Sequence, residues 1–291
     1  MADVAVVTDS TGYLPAALVD SLEITIVPLY YDVGPGLVRE SDFDGDLGEF
    51  YAELDASKTV APTSPPAVED FLRVFERLLM QHSAVVSVLI SSAISETCSN
   101  ARQAVSRLES EGERVVVIDS AGTIGHLGLQ AVAAARAAVA GEDRSGVIAR
   151  TRRARQEVRV WGLLDTLEYL RRGGRVGTAA AWVGSALDIK PIITIESETK
   201  AVERVRTRRR GVDRLVELML QRRAAVGADR WFVQHTCAHE DAQRLADHLD
   251  ELFGTEPEFV CELGPVAATQ LGPRALWVGG LSAAALDGEV G

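Results

Sequence analysis

Between Ala84 and Leu108 the sequence reads AVVSVLISSAISETCSNARQAVSRL, and this stretch restricts the fold more than any other. Ala84 to Ile90 is a partly β-branched apolar run of strand length, after which Ala101, Val105 and Leu108 recur at spacings of four and three. A strand therefore runs into a helix. The junction, Ser91-Ser92-Ala93-Ile94-Ser95-Glu96-Thr97, sets hydroxyls beside the unsatisfied N–H groups and positive dipole end of that helix, where an anion is favoured. Ser95 as a simple N-cap fits the same residues, without an acidic partner to complete a capping box. The junction taken alone leaves both readings open.

The same pattern recurs along the first half. Val4 to Val7 is an apolar strand that ends in Thr8-Asp9-Ser10-Thr11-Gly12 before Pro15 opens a short helix. Ile24 to Tyr30 reads as a second strand, 46–56 as a surface helix, and Val115 to Ile118 as a strand ending in Asp119-Ser120-Ala121-Gly122. An Ala-rich helix follows to about Ala140. Strands that each end in a polar loop predict a doubly wound α/β domain, whose ligands collect outside the strands' carboxyl ends; Asp9, Ser10 and Thr11 are placed to line such a crevice or to cap the next helix.

Thr63-Ser64 sits between Pro62 and Pro65-Pro66, which deny this segment helix and hold its hydroxyls extended just before an amphipathic helix over 67–82. No GxGxxG follows Val7, and GxxxxGK[ST] and GxSxG are absent, so dinucleotide, P-loop and hydrolase-elbow signatures are missing.

Gly141-Glu142-Asp143-Arg144-Ser145-Gly146 is a polar break, and a domain boundary is expected there, with residues 1–145 and 146–291 as two α/β domains. The second half predicts strands at 158–163, 231–234, 259–261 and 276–281, helices at 167–172, 179–187, 208–224 and 239–252, and a hairpin formed by 189–195 and 201–205.

At 291 residues and 47% hydrophobic content the chain is long enough for two cores. The first residues show no secretory leader pattern and no apolar run is long enough for a membrane span, so a cytoplasmic location is expected. Three widely spaced cysteines predict neither disulfides nor structural zinc, and His235 and His239 lack the HExxH pattern. The net charge of −12 hides a segregation: residues 150 to 223 hold 18 Lys and Arg against 9 Asp and Glu, a local +9 that leaves −21 elsewhere. The basic clusters RTRRAR, RRGGR and RVRTRRR suit an acidic protein or a phosphorylated ligand; without interleaved aromatics they fit nucleic acid poorly.

Thr8-Asp9-Ser10-Thr11, Pro62-Thr63-Ser64, Ile90 to Thr97, Val117-Ile118-Asp119-Ser120, Leu167 to Val176 and Leu187-Asp188-Ile189-Lys190-Pro191-Ile192 occur in the order and approximate spacing of the DegV family. The chain resembles that family over nearly its whole length. The resemblance implies two α/β domains with the ligand cleft between them, one long-chain fatty acid with its carboxylate in the cleft, and the acyl tail buried in the second domain. It further implies a lipid-binding carrier, not an enzyme: like the lipid-binding subunit of a bacterial fatty acid kinase, it presents the carboxylate to a separate ATP-dependent kinase subunit, which makes the acyl phosphate. No cofactor or metal is implied. By motif position Thr63, Ser64 and Ser95 hold the carboxylate, Ser92 and Thr97 support them, and Arg175 and Arg206 lie in the surface that meets the kinase or the phosphate.

The chain departs from the family pattern in two places, and in the second of them Arg274 also replaces a glycine. Glu96 stands where a glycine is usual, and Gln270 takes the histidine position of HTGPG, read here as Gln270-Leu271-Gly272-Pro273-Arg274. Gln270 still donates a hydrogen bond to a ligand but carries no charge. Two other functions compete: a stand-alone hydrolase or transferase with Ser95 as nucleophile and His126 as a base, or a binding module for another small anionic ligand.

Overall fold

The computed structural model describes residues 3–32, 36–57, 61–183 and 189–288. Leu187 and Asp188 of the last family fragment, and the end of the helix predicted at 179–187, lie outside them. The first half runs β1 (Val4–Asp9), α1 (Ala16–Ser21), β2 (Thr25–Val27), β3 (Tyr30–Asp32), β4 (Leu37–Arg39), α2 (Leu47–Ser57), β5 (Thr63–Ser64), α3 (Val68–Leu79), β6 (Ala84–Leu89), α4 (Thr97–Arg107) and β7 (Val115–Asp119). Two adjacent helices follow, α5 (Ile124–Val139) and α6 (Arg144–Glu157). The second half runs β8 (Arg159–Leu163), α7 (Glu168–Arg172), β9 (Lys190–Glu196), β10 (Glu198–Val205), α8 (Arg208–Val226), β11 (Arg230–His235), α9 (His239–Phe253), β12 (Phe259–Glu262), α10 (Pro265–Leu271), β13 (Leu276–Leu281) and α11 (Ala283–Leu286).

Mixed α/β architecture is what the strand and loop pattern predicts. Strands β2-β1-β6-β7 form an all-parallel sheet, with β1 and β6 fully buried as their near-continuous apolar sequences require. A six-stranded sheet, β10-β9-β8-β13-β11-β12, is antiparallel except between β11 and β12. A small third sheet, β4-β3-β5, is antiparallel.

Three predicted elements differ. The strand expected over 24–30 is two strands in two sheets, because Pro28 has no N–H to continue a ladder. Helix α2 is not merely superficial: Leu47, Phe50 and Tyr51 are buried in a cluster with Leu29, Tyr31, Val266 and Ala268. The helix expected from 179 is a 3-10 turn over Gly177–Trp182 as far as it is described.

Helix α5 joins the halves. All of its residues except Arg136 and Val139 are buried. Leu127, Ala134 and Ala135 pack with Val4 and Val86 of the parallel sheet, while Leu129, Val132 and Ala133 pack with Phe232 and Trp277 of the mixed one. Small side chains make this double contact feasible: a Cβ on Gly125 would lie 2.1 Å from the Phe232 ring.

Candidate functional site

Both halves contribute to the walls of a cavity of about 460 Å³, within the roughly 300–1,000 Å³ range of small-molecule sites. Thr11, Thr63, Ser64, Ile90, Ser92, Ile94, Ser95, Glu96, Thr123 and Ile124 come from the first half; Leu170, Arg175, Ile195, Thr199, Val266, Ala267, Gln270 and Leu271 come from the second. Thr63 and Ser95 therefore share one chamber across the 30 or so residues that separate them in sequence.

The proline-flanked segment is held by strand pairing. Thr63 lies opposite Tyr31 and Ser64 opposite Tyr30, and Asn100 Nδ2 of α4 donates to the Pro66 carbonyl at 2.8 Å. Neither hydroxyl has a protein hydrogen-bond partner among the described residues, so each keeps its proton for a ligand.

In the loop after β6, Ser95 Oγ accepts from the Thr97 N–H at 3.3 Å and lies 2.8 Å from Thr97 Oγ1. With Thr97 as donor in that second bond, Ser95 also keeps its proton. Thr97 is buried and does not itself line the cavity. Ser92 differs: its hydroxyl donates to the Asp119 carboxylate, which also accepts its N–H at 3.3 Å. Ser92 thus fixes the loop and has no spare proton while that bond holds.

The junction's backbone is mostly self-satisfied. Ala93 N–H donates to Ser91 Oγ, and the Ile94 and Ser95 N–H groups to the Ser91 carbonyl. Hydroxyls, more than the helix N-terminus proper, are what this loop offers an anion. Glu96 is exposed at the rim.

Behind the wall lie two buried carboxyls. Asp9 accepts from the Ile90 N–H at 2.7 Å and from Thr11 Oγ1 at 2.6 Å; burial pushes it up to about 6 against the pull of those bonds. Asp9 and Ser10 therefore brace the crevice, and of the three residues expected there only Thr11 lines it. Glu40 accepts from Ser10 Oγ at 2.5 Å, Tyr13 OH at 2.7 Å and the Val266 N–H of α10 at 2.9 Å. Burial pushes this carboxyl up to about 7. It ties the first half to a helix that walls the cavity, yet in sequence it is one acid in the polar run Arg39-Glu40-Ser41-Asp42 with nothing to distinguish it.

Gln270 lines the cavity from α10. Its Nε2 donates to Thr269 Oγ1 at 3.3 Å, and its Oε1 is buried without a partner among the described residues. The side chain presses on the glycine turn: a Cβ on Gly173 would lie 1.9 Å from Oε1. Arg175 stands exposed at the cavity edge, with Nη1 donating to the Gly173 carbonyl at 2.5 Å. Arg206 is exposed in the turn between β10 and α8 and does not line the cavity. Arg274 lies instead beside Asp165 and Asp241, at 3.9 and 3.8 Å. His126 does not line the cavity that holds Ser95; it is buried, with Nδ1 2.9 Å from Gln130 Nε2, and borders a different cavity. Sequence reading also missed Thr199, which the β9–β10 hairpin turns inward.

The family model described as "uncharacterised protein, DegV family" matches residues 3–282. The chain belongs to the DegV family. A DegV domain-containing protein of Listeria monocytogenes is 34% identical over 278 residues, covering 94% of this chain and 96% of the relative. Protein DegV of Bacillus subtilis is 29% identical, with 95% of this chain and 98% of the relative covered. The structure of a fatty-acid-binding DegV family protein from Thermus thermophilus superposes with a TM-score of 0.87 at 28% identity, covering 97% of this chain and all of that one. The B. subtilis DegV structure, a fatty acid binding protein, gives 0.84 at 29% with the same coverage. The DegV chain thus keeps the α/β fold of those proteins. Among its described residues no helix is long and apolar enough to cross a membrane, and no three His, Cys, Asp or Glu residues are grouped to hold a metal ion.

Proposed function

We propose that this chain binds one long-chain fatty acid, its carboxylate at Thr63, Ser64 and Ser95 and its tail among Ile124, Leu170, Ile195, Val266, Ala267 and Leu271. The observation that carries this reading is one cavity lined both by proton-bearing hydroxyls, most of them from the first half, and by aliphatic side chains from both halves. The fatty acids bound by the T. thermophilus and B. subtilis family members support it. A carboxylate needs no salt bridge where hydroxyl donors satisfy it, each charge-assisted bond contributing about 1.5–3 kcal/mol. The tail contributes more: at about 0.8 kcal/mol per methylene, some fifteen carbons supply on the order of 10 kcal/mol before ordering costs.

Two domains divided near residue 145 fit this placement, with α5 between their sheets. The finer role is that of a carrier. Arg175, exposed at the edge of the same cavity, meets with Arg206 an ATP-dependent kinase subunit that phosphorylates the bound acid in the cytoplasm. The chain itself supplies binding and no catalytic residue. Native mass spectrometry of the purified protein tests the binding: one fatty acid per chain is expected, and an empty protein that ignores added fatty acid removes the proposal. With a partner kinase, charge reversal at Arg175 and Arg206 is expected to abolish acyl-phosphate formation while leaving lipid occupancy intact; unchanged phosphorylation removes the docking role.

A further inference from the structure

A second cavity of about 450 Å³ lies on the other side of the β9–β10 hairpin tip. Alternation along the strands divides the hairpin between the two chambers: Ile195 and Thr199 face the first, whereas Glu196 and Ser197 border the second. The tip is anchored from both sides. Ser197, with φ of +67°, donates its N–H to the Ala121 carbonyl at 2.7 Å, and its own carbonyl accepts from Ser91 Oγ at 2.6 Å.

The lining of this second chamber is basic. Arg152 and Arg155 of α6 and Arg159 at the start of β8 all border it, opposed by Glu196 alone among its acidic residues. Arg159 Nε is 3.3 Å from Glu196, and its Nη1 donates to the Gln156 and Val158 carbonyls. Glu196 is further shared with Lys200 at 3.5 Å. Arg152 and Arg155 have no ion pair among the described residues. On a chain with net charge −12, unpaired guanidinium groups gathered in a concavity focus positive potential.

His126, only 3% exposed, borders the same chamber. Its protonation follows from its neighbour. Gln130 Nε2 also reaches the Ser120 carbonyl at 3.1 Å and the His126 carbonyl at 2.9 Å, so the amide NH₂ must face these acceptors and His126 Nδ1 accepts as well. The ring proton therefore sits on Nε2, the one donor His126 has left to offer. Burial, then the charges of Arg159 and Arg155, push its pKa down to about 3, which keeps the ring neutral.

We infer that this chamber is a second ligand site, which binds the phosphate group of a small phosphomonoester through Arg152, Arg155 and Arg159, with His126 donating from the buried side. Guanidinium forks match phosphate oxygens, and a dianion offsets the excess positive charge. The volume admits an organic body behind the phosphate. Such a site is separate from the fatty acid cavity and does not depend on what that cavity holds.

Calorimetric titration of the full-length protein with inorganic phosphate and with ribose 5-phosphate tests the assignment. One saturable site is expected, with the ester binding more tightly than inorganic phosphate. In Arg152→Gln/Arg155→Gln, whose changed side chains are exposed, affinity for the ester falls at least about tenfold, as loss of charge-assisted bonds requires. Arg175→Gln leaves it unchanged, and Glu196→Gln tightens it. The His126 Nε2–H proton resonance shifts on saturation. No saturable binding, an ester no tighter than phosphate, full affinity in the double variant, or loss in Arg175→Gln overturns the assignment; circular dichroism melting confirms that each variant is folded.

Discussion

The parallel sheet and the mixed sheet meet at one cavity and share its chemistry unequally: both supply aliphatic side chains, whereas the hydroxyls come almost wholly from the first. Of the seven Ser and Thr residues that line it, Thr11, Thr63, Ser64, Ser92, Ser95 and Thr123 belong to the first half, and only Thr199 to the second. All strands of a parallel sheet end at the same edge, so their polar loops converge there. Strands of the mixed sheet run both ways, so their loops leave at both edges. That half reaches the cavity through α7, α10 and one hairpin, which present Leu170, Val266, Leu271 and Ile195. The hydroxyl head site is thereby the work of one architecture and the aliphatic lining that of both, and each can be perturbed separately.

The largest effect should come from the head. Thr63→Ala with Ser95→Ala removes two hydroxyl donors at about 1.5–3 kcal/mol each, so fatty acid affinity is expected to fall by about a hundredfold or more at every chain length. Competition binding with a homologous series of fatty acids measures this; a loss that grows with chain length would place the head elsewhere. Ser92→Ala is expected to act indirectly, through the loop that Asp119 holds.

Obstructing the tail wall should do the opposite. Ala267→Leu adds three carbons where α10 faces the cavity, and each displaced methylene forfeits about 0.8 kcal/mol. The same series should show longer acids losing about tenfold or more while short ones bind as before. Uniform loss across the series would separate Ala267 from the tail.

The converging hydroxyl loops were legible because strand-then-polar-loop is a local pattern, and strand β13 over Leu276–Leu281 fell where its apolar run lies. Elements interrupted by a single residue were less so: Pro28 divides one apparent strand between two sheets. Long-range pairings were not legible at all. Asp119 engages Ser92 across 27 residues, and Glu40 meets Val266 across 226. Nor does the Ala-rich composition of α5 reveal that both sheets close on it, since the same residues suit any well-packed helix. The six family fragments carried more than their individual patterns because their order encodes this three-dimensional meeting.

Glu40 is where the two regions are joined by a titratable group. Its carboxyl, ordinarily near 4.5, is held at about 7, so the folded chain retains a proton that the unfolded chain releases at lower pH. The stabilisation is complete below about pH 4.5 and is lost as pH rises through about 7. Asp9, raised to about 6, acts in the same direction over a lower range. Chemical denaturation from pH 5 to 8 should show the native protein losing on the order of 2–3 kcal/mol more than Glu40→Gln over this interval. Parallel profiles for the two proteins would show that this junction does not titrate in the folded state.

The smallest effect tests a position outside both walls. Arg274 adopts φ of +62°, a left-handed conformation that costs a non-glycine residue about 1 kcal/mol, which accounts for the glycine of the family pattern there. Its guanidinium is half-exposed and at 3.8–3.9 Å from Asp241 and Asp165, ion pairs worth about 0–1 kcal/mol. Both carboxylates keep the closer Arg208, with Nε 2.5 Å from Asp241 and Nη1 3.4 Å from Asp165. Relief of backbone strain therefore outweighs the lost pairing. Arg274→Gly should raise the melting temperature by about 1–3 °C, with fatty acid affinity unchanged. A fall in melting temperature would show that Arg274 holds the Asp165 and Asp241 cluster together; a fall in affinity would extend the cavity's influence to a residue that does not line it.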